Sequence, residues 1–246
     1  MIMQERWRAI THILEADKRL PLSGRTILEV AVGGDSELAR LMSLGAMPTK
    51  CTRVDLLSES TEEGPRAYPN TTFRVGHAAK LTFPDAQFDL IFLSAVLSSI
   101  PDHHTRYAIA GEVERVLRPG GALLWYDVRY WSPGNRSFRA VSRRELRRLF
   151  PGLRTSLQTI TLIPPLARRL RGATRTLYPM LAAIPILRSY LVGLLIKPGG
   201  DRAQGPADNR TATAPTASPL DQGSGTFKES IVWDHSRAGR AAQPQS

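Results

Sequence analysis

Residues 25–40, RTILEVAVGGDSELAR, set an apolar run, a turn of small residues and a polar-apolar stretch in immediate succession. The run Thr26-Ile27-Leu28-Glu29-Val30 reads as a strand. Ala31-Val32-Gly33-Gly34 reads as a tight turn, and a helix is expected from Asp35 to Leu44, burying Leu38, Leu41 and Met42 and ended by Gly45. Strand, glycine turn and helix in this order open an α/β sheet and form a nucleotide-sized crevice at the carboxyl end of the first strand. The turn brings backbone against a ligand, and only residues with little side chain permit that approach. The next apolar run, 51–54, is closed by Asp55. An acid there, roughly 20 residues past the turn, can accept hydrogen bonds from ribose hydroxyls. A glycine pair also suits a plain strand-to-helix turn, so the order of the later pieces decides.

Those pieces follow a regular alternation. An amphipathic helix over 3–20 carries Trp7, Ile10 and Leu14 on one face, to pack on the sheet edge or cap the crevice. A short helix over 58–68 precedes a strand at 73–75. Phe83-Pro84-Asp85-Ala86-Gln87-Phe88-Asp89-Leu90 reads as a turn feeding a fourth strand, 88–93, whose continuous apolar run predicts burial on both faces, as in a parallel sheet. Residues 94–101 read as a loop. A helix over 103–117, with Tyr107, Ala110, Val113 and Val116 or Leu117 inward, is stopped by Pro119-Gly120-Gly121. A fifth strand spans 122–128, and the loop 129–141 holds Tyr130 and Trp131. A helix over 142–150 opens with Ser142 and Glu145 in capping-box spacing. Strands are expected at 155–162 and 190–197, with helices over 164–187 between them.

This succession resembles the class I S-adenosylmethionine (SAM)-dependent methyltransferases. The segments Leu117-Arg118-Pro119-Gly120-Gly121 and Leu124-Trp125-Tyr126-Asp127, followed by Leu149-Phe150-Pro151-Gly152, are similar to bacterial small-molecule and saccharide-type members, and the likeness covers about residues 25–198. The resemblance implies a Rossmann-like, doubly wound, mostly parallel seven-stranded sheet. Its last strand would be antiparallel and inserted between strands five and six, with 164–187 as a helical lid before it. Residues 1–24 would be an N-terminal helix and 25–198 the methyltransferase domain.

The same resemblance implies the site. The backbone of Ala31, Val32, Gly33 and Gly34 would hold the methionine end of SAM, with Glu29 beneath organising the turn. Asp55 would take the ribose, Leu56 the adenine face, and Ser94 would lie along the cofactor. Where the family usually carries Gly-Asp-Ala, this chain has Gly76-His77-Ala78. His77 accepts the adenine amino group only through an unprotonated ring nitrogen; otherwise it points away and the Ala78 backbone reads the ring. The turn departs from acid-x-Gly-x-Gly-x-Gly, since Ala31 and Asp35 replace the first and third glycines. Asp35 can cap the next helix, but it adds negative charge near the cofactor carboxylate. For a hydroxyl acceptor, His103, His104, Tyr126 and Asp127 are the candidate bases at the sheet's carboxyl edge, and Trp125, Tyr126, Tyr130 and Trp131 are candidates for an aromatic wall. No metal ligands are assigned.

Charge bears on the acceptor. The formal net charge is +11, and residues 129–175 hold twelve arginines against one acid, Glu145. Such a field suits an anionic partner, whether phosphorylated substrate, membrane surface or nucleic acid, or simply a solvated surface. The apolar run 177–196 is long enough for a bilayer, but Pro179, Pro185 and Arg188 interrupt it, so it reads as a soluble lid or a membrane-surface element. One cysteine, Cys51, permits no intrachain disulfide and fits a reducing compartment. Charged residues at 5, 6, 8, 15 and 17 are unlike an ordinary secretory signal. The expected location is therefore cytoplasmic or peripheral at the inner membrane surface. Residues 199–246 have the composition of a disordered tail.

The leading expectation is O-methylation, with SAM, of a small-molecule or saccharide/lipid-linked acceptor. An RNA methyltransferase is the second; the chain lacks the Asn/Asp-Pro-Pro-Tyr/Phe motif of many base N-methylating enzymes. A non-catalytic scaffold of the same fold is the third, on the strength of Ala31, Asp35 and His77. A NAD-dependent dehydrogenase fits less, because only Gly33 of its three glycines is present.

Overall fold

Seven strands form one sheet in the order β3-β2-β1-β4-β5-β7-β6. The computed structural model describes residues 2–32, 36–56, 64–129, 139–162 and 188–199. These belong to the compact unit Met1–Arg202. The tail, the 164–187 insertion, Tyr130, Trp131 and the turn residues Gly33, Gly34 and Asp35 lie outside the described residues. The elements are α1 (Ile2–Ala16), β1 (Ile27–Ala31), α2 (Leu38–Ser43), β2 (Cys51–Asp55), β3 (Thr72–Val75), β4 (Phe88–Ser94), α3 (Val96–Ser99), α4 (His103–Val116), β5 (Leu117–Val128), α5 (Arg143–Leu149), β6 (Arg154–Leu162) and β7 (Arg188–Ile196). A helical turn at 64–67 is the described part of the helix expected over 58–68.

β1 pairs in parallel with β2 and β4, β2 with β3, and β4 with β5. β7 runs antiparallel between β5 and β6. Its Gly193 is required by close packing, because a Cβ there would lie 2.3 Å from the Ser156 carbonyl and 2.4 Å from Leu157 Cδ2. Half of the apolar run 177–196 is thus this interior strand, hydrogen-bonded on both edges, and not a membrane-surface element. Among the described residues, no helix is long and apolar enough to cross a membrane.

Alternation along the strands feeds two cores, one on each face. One joins Leu28, Val30, Ile91, Leu93, Leu123 and Trp125 to α4 and α5. The other joins Ile27, Leu90, Phe92, Leu124 and Tyr126 to α1 and α2. α1 lies on the sheet's face, not at its edge: Trp7 meets Phe92 edge-on at 6.0 Å, with Ile10 and Leu14 fully buried beside it.

Three local expectations are corrected. α4 ends at Val116, and Leu117 is already extended, so Pro119-Gly120-Gly121 belongs to β5 and not to a helix stop. These residues absorb an irregularity, since the β4–β5 register steps from Phe88↔Leu117 to Leu90↔Ala122, with Gly120 at φ +78°. The inner face of α4 carries Arg106 and Ile109, while Tyr107 is 51% exposed. The loop expected after β4 contains the turn of helix α3, entered through Ala95 at φ 56°.

The Phe83–Asp89 stretch keeps its shape through side chains. Arg115 donates to the Leu81 and Phe83 carbonyls, each at 2.8 Å, and to Asp85 at 2.7 Å. Asp89 accepts from Thr26 N at 2.7 Å and from Arg118 at 3.0 Å, which fixes the start of β4 against β1.

Candidate active site

The strand order reverses between β1 and β4, so a crevice opens at the carboxyl ends of these strands, the topological switch point where α/β sheets bind ligands. β1 delivers Glu29 and Ala31 to that edge and β2 delivers Asp55, with Ala31 and Asp55 opposite each other in register. Glu29 is 2% exposed. Its carboxylate accepts from Ser36 Oγ and from the Glu37 backbone N–H, both at 2.8 Å, and so grips the exit of the turn ahead of α2. Burial pushes the Glu29 carboxyl up, while the Arg53 guanidinium and Ser36 pull it back.

Arg53 is the residue that sequence reasoning missed here. It is 1% exposed and pairs with Glu29 at 3.0 Å and with Asp55 at 2.7 Å. One guanidinium therefore joins the acid of the turn to the acid of β2. The signal was present: residues i and i+2 of a strand share a face, and Arg53 and Asp55 have opposite charge.

A second buried cation comes from α1. Arg6, 6% exposed, forms an ion pair with Glu37, donates to Ser94 Oγ at 3.4 Å and lies 4.8 Å over the Tyr126 ring. Trp7 Nε1 also donates to Glu37, at 3.0 Å. α1 is thus tied to the start of α2 and to the ends of β4 and β5. Burial lowers the Arg6 pKa, and the Tyr126 hydroxyl opposes that shift.

The other candidates separate by exposure. Val32 is half-buried at the turn, Leu56 is 38% exposed, and Ala78 is buried. His77 is exposed, and its Nδ1 accepts from Ala79 N at 3.1 Å, so only Nε2 remains to face a ligand. Trp125 is fully buried and belongs to the core, not to a substrate wall. Tyr126 is buried and stacked on Tyr190 at 5.1 Å, with its pKa pushed up by burial. A phenol held neutral in this way is a poor base. Asp127 is fully buried, accepting from Ser98 N at 3.0 Å and Val128 N at 2.8 Å. It pins α3 to the end of β5. His103 and His104 are exposed at the start of α4, with His103 Nδ1 3.5 Å from Glu145. Cys51 is buried, its thiol pushed up to about 11 by burial and by Glu29, which suits an inert core residue.

Asp127 carries a pH prediction. Burial raises its pKa to about 6, so between about pH 4 and this value the folded state holds a proton that the unfolded chain releases. Stability is expected to fall as pH rises through that window, by roughly 3 kcal/mol in all, at about 1.4 kcal/mol for each pH unit crossed. Melting curves of wild type and Asp127→Asn across pH 4–7 check this. The variant should lack the slope, and an identical slope in both proteins rejects the assignment.

Comparison with known proteins agrees with this geometry. Residues 28–125 match the methyltransferase domain family. The chain is 35% identical over 127 residues to a phthiotriol/phenolphthiotriol dimycocerosates methyltransferase of Mycobacterium ulcerans, covering 50% of this chain and 42% of that one. It is 36% identical over 115 residues to a fatty-acid O-methyltransferase of Mycolicibacterium smegmatis, covering 44% and 39%. The chain thus spans about two-fifths of the length of these relatives. In fold it is similar to the Burkholderia thailandensis 1,6-didemethyltoxoflavin-N1-methyltransferase, solved with S-adenosylhomocysteine, at a TM-score of 0.53, 17% identity and 78% coverage of both chains. A sheet of this order with its antiparallel β7, an acid gripping the turn after β1, and the match over residues 28–125 together give this chain a methyltransferase domain of the class I SAM-dependent fold.

Proposed function

We propose that this chain transfers the methyl group of SAM to an oxygen of a small-molecule or lipid-linked acceptor. The observation that carries the reading is the pair of acids at the switch point: Glu29 holding the turn's exit and Asp55 across from Ala31. The grip of Glu29 on the turn's exit fits the cofactor, while Asp55, fully buried and paired with Arg53 at 2.7 Å, must be uncovered for a ribose to reach it. The backbone of Ala31, Val32, Gly33 and Gly34 would take its amino-acid end and Asp55 its ribose. Leu56, His77 and Ala78 would border the adenine, and Ser94 would lie along the chain between. SAM supplies a methyl group on a cationic sulfonium. The protein's part is alignment and exclusion of water, worth ~7–11 kcal/mol in favourable model systems.

For a hydroxyl acceptor the base is His103 or His104. Both are solvent-accessible just past the carboxyl end of β4, whereas Tyr126 and Asp127 are buried and engaged. Oxygen as the methylated atom is supported by the fatty-acid O-methyltransferase relative, and a lipid-linked acceptor by both relatives named above. A location at the cytoplasmic face of a membrane is the matching proposal, supported by that acceptor class and by the basic 129–175 region.

Calorimetric titration with SAM and S-adenosylhomocysteine tests the cofactor half of the reading. Saturable binding is expected in the wild type, with loss of at least ~10-fold in Asp55→Ala for the missing charge-assisted hydrogen bonds. Absence of binding to either ligand would favour the scaffold reading.

A further inference from the structure

α5 has two unlike sides. Leu146 and Leu149 are buried in the core. The helix's one carboxylate, Glu145, accepts from Arg106 Nη1 at 2.6 Å and faces His103, so its charge is answered inward. Arg144, Arg147 and Arg148 are exposed, Arg143 is half-buried, and Arg154 is exposed at the start of β6. Among the described residues, none of these five pairs with a carboxylate. The neighbouring end of α4 adds exposed His103 and His104 and, one turn on, the exposed ring of Tyr107.

The start of α5 sits beside the crevice, and the helix leads from there to Arg154, which is level with Ala122 at the far edge of the sheet. Val141, just ahead of the helix, donates to the Val128 carbonyl at 3.2 Å, and Arg139 N donates to the Ser98 carbonyl at 2.8 Å. Both contacts lie at the carboxyl edge of the sheet, the edge that carries Asp55 and Ser94.

We propose that the arginine face of α5, with Tyr107 beside it, docks this protein on an anionic lipid bilayer and so presents the crevice to acceptors in the membrane. A bilayer suits the chemistry better than RNA. Exposed guanidinium groups with one adjoining aromatic match a surface of headgroups, at whose level tyrosine rings settle. Single-stranded nucleic acid is held by several stacking aromatics, and Tyr107 is the one strongly exposed aromatic among the described residues. Docking itself does not depend on methyl transfer; only its purpose rests on the proposed function.

The test is co-sedimentation of the full chain with phosphatidylcholine vesicles and with vesicles containing phosphatidylglycerol as well. Binding is expected only to the anionic vesicles, weakening with salt as the charges are screened. The variant Arg144→Gln/Arg147→Gln/Arg148→Gln alters exposed side chains only, so its melting temperature and SAM titration should match wild type. Its vesicle affinity should fall on the order of 100-fold, about fivefold per arginine. The corresponding triple lysine variant should keep wild-type binding within a few-fold, because the surface is read as bulk charge. Equal binding to neutral vesicles, no binding to anionic ones, an unaffected glutamine variant or a failed lysine variant each overturns the proposal. Tighter binding to an RNA oligonucleotide than to vesicles at the same salt would assign the face to nucleic acid instead. The SAM titration contains no vesicles, so failure of docking and failure of the cofactor reading are seen separately.

Discussion

Arg53→Met is expected to abolish measurable SAM binding and to cost about 3–5 kcal/mol of stability, the usual effect of removing one partner from a buried ion pair. The arginine is 1% exposed and bridges Glu29 and Asp55, themselves 2% and 0% exposed. Without it, two carboxylates share a dry site with no guanidinium between them. Burial already raises the Glu29 pKa and Arg53 opposes this, so the loss pushes it further up. A carboxyl raised in the folded state favours folding at low pH, and that advantage disappears as pH climbs above its unfolded value of about 4. The variant should therefore be most nearly native at acid pH and worst near neutrality. Arg53→Met/Asp55→Asn separates the two effects: much of the stability should return with the second carboxylate neutralised, while SAM binding should not. Wild-type affinity for SAM in the single variant would show that the bridge has no part in holding the cofactor.

Arg106→Met should give the second large effect, on stability alone. Arg106 is fully buried and donates to the Ile100 carbonyl at 2.6 Å, to Glu145 at 2.6 Å and to the Arg139 carbonyl at 2.8 Å. It joins α4, the segment ahead of it, the approach to α5 and α5 itself. Methionine fills much of the volume but leaves two carbonyls and the half-buried Glu145 carboxylate without their donor, at about 1 kcal/mol or more each. A total of roughly 3–5 kcal/mol corresponds to a fall of about 6–20 °C in melting temperature for a domain of this size. Differential scanning calorimetry measures it directly. A fall below about 1 kcal/mol would mean that water replaces the guanidinium and that the three segments do not depend on it.

These two arginines show where local reading ends. The strands were legible because apolar runs of 4–8 residues between Gly, Pro and Asp punctuation fix extended segments by local chemistry. β1, β2 and β4 stand within a residue of where that pattern puts them, while β5 begins five residues earlier, through the Pro-Gly-Gly read as a helix stop. α4 was legible as a helix, but its inner face was not. Tyr107 looked like a core residue, and the core took Arg106 instead. A charge enters the interior only when its partners are supplied, and those partners, Arg139 and Glu145, lie 33 and 39 residues away. No local periodicity carries that information.

The candidate site divides in the same way. Its scaffold was readable: an acid before a small-residue turn, and a second acid closing the next strand. Parallel pairing then sets Ala31 opposite Asp55. The work of the neighbouring charges was not readable. Arg6 and Trp7 reach Glu37 across 31 and 30 positions of sequence, and Asp127, which ends β5 as expected, faces backbone N–H groups in the interior and not the crevice. By itself, then, the sequence determined the strands, the small-residue turn and the two acids beside it, because hydrophobic period and turn chemistry act over a few residues, while the order of the sheet came with the resemblance. Only the tertiary structure decided which charged groups are buried and which remain at the surface, because the cost of burying a charge is met by groups that folding brings from distant parts of the chain.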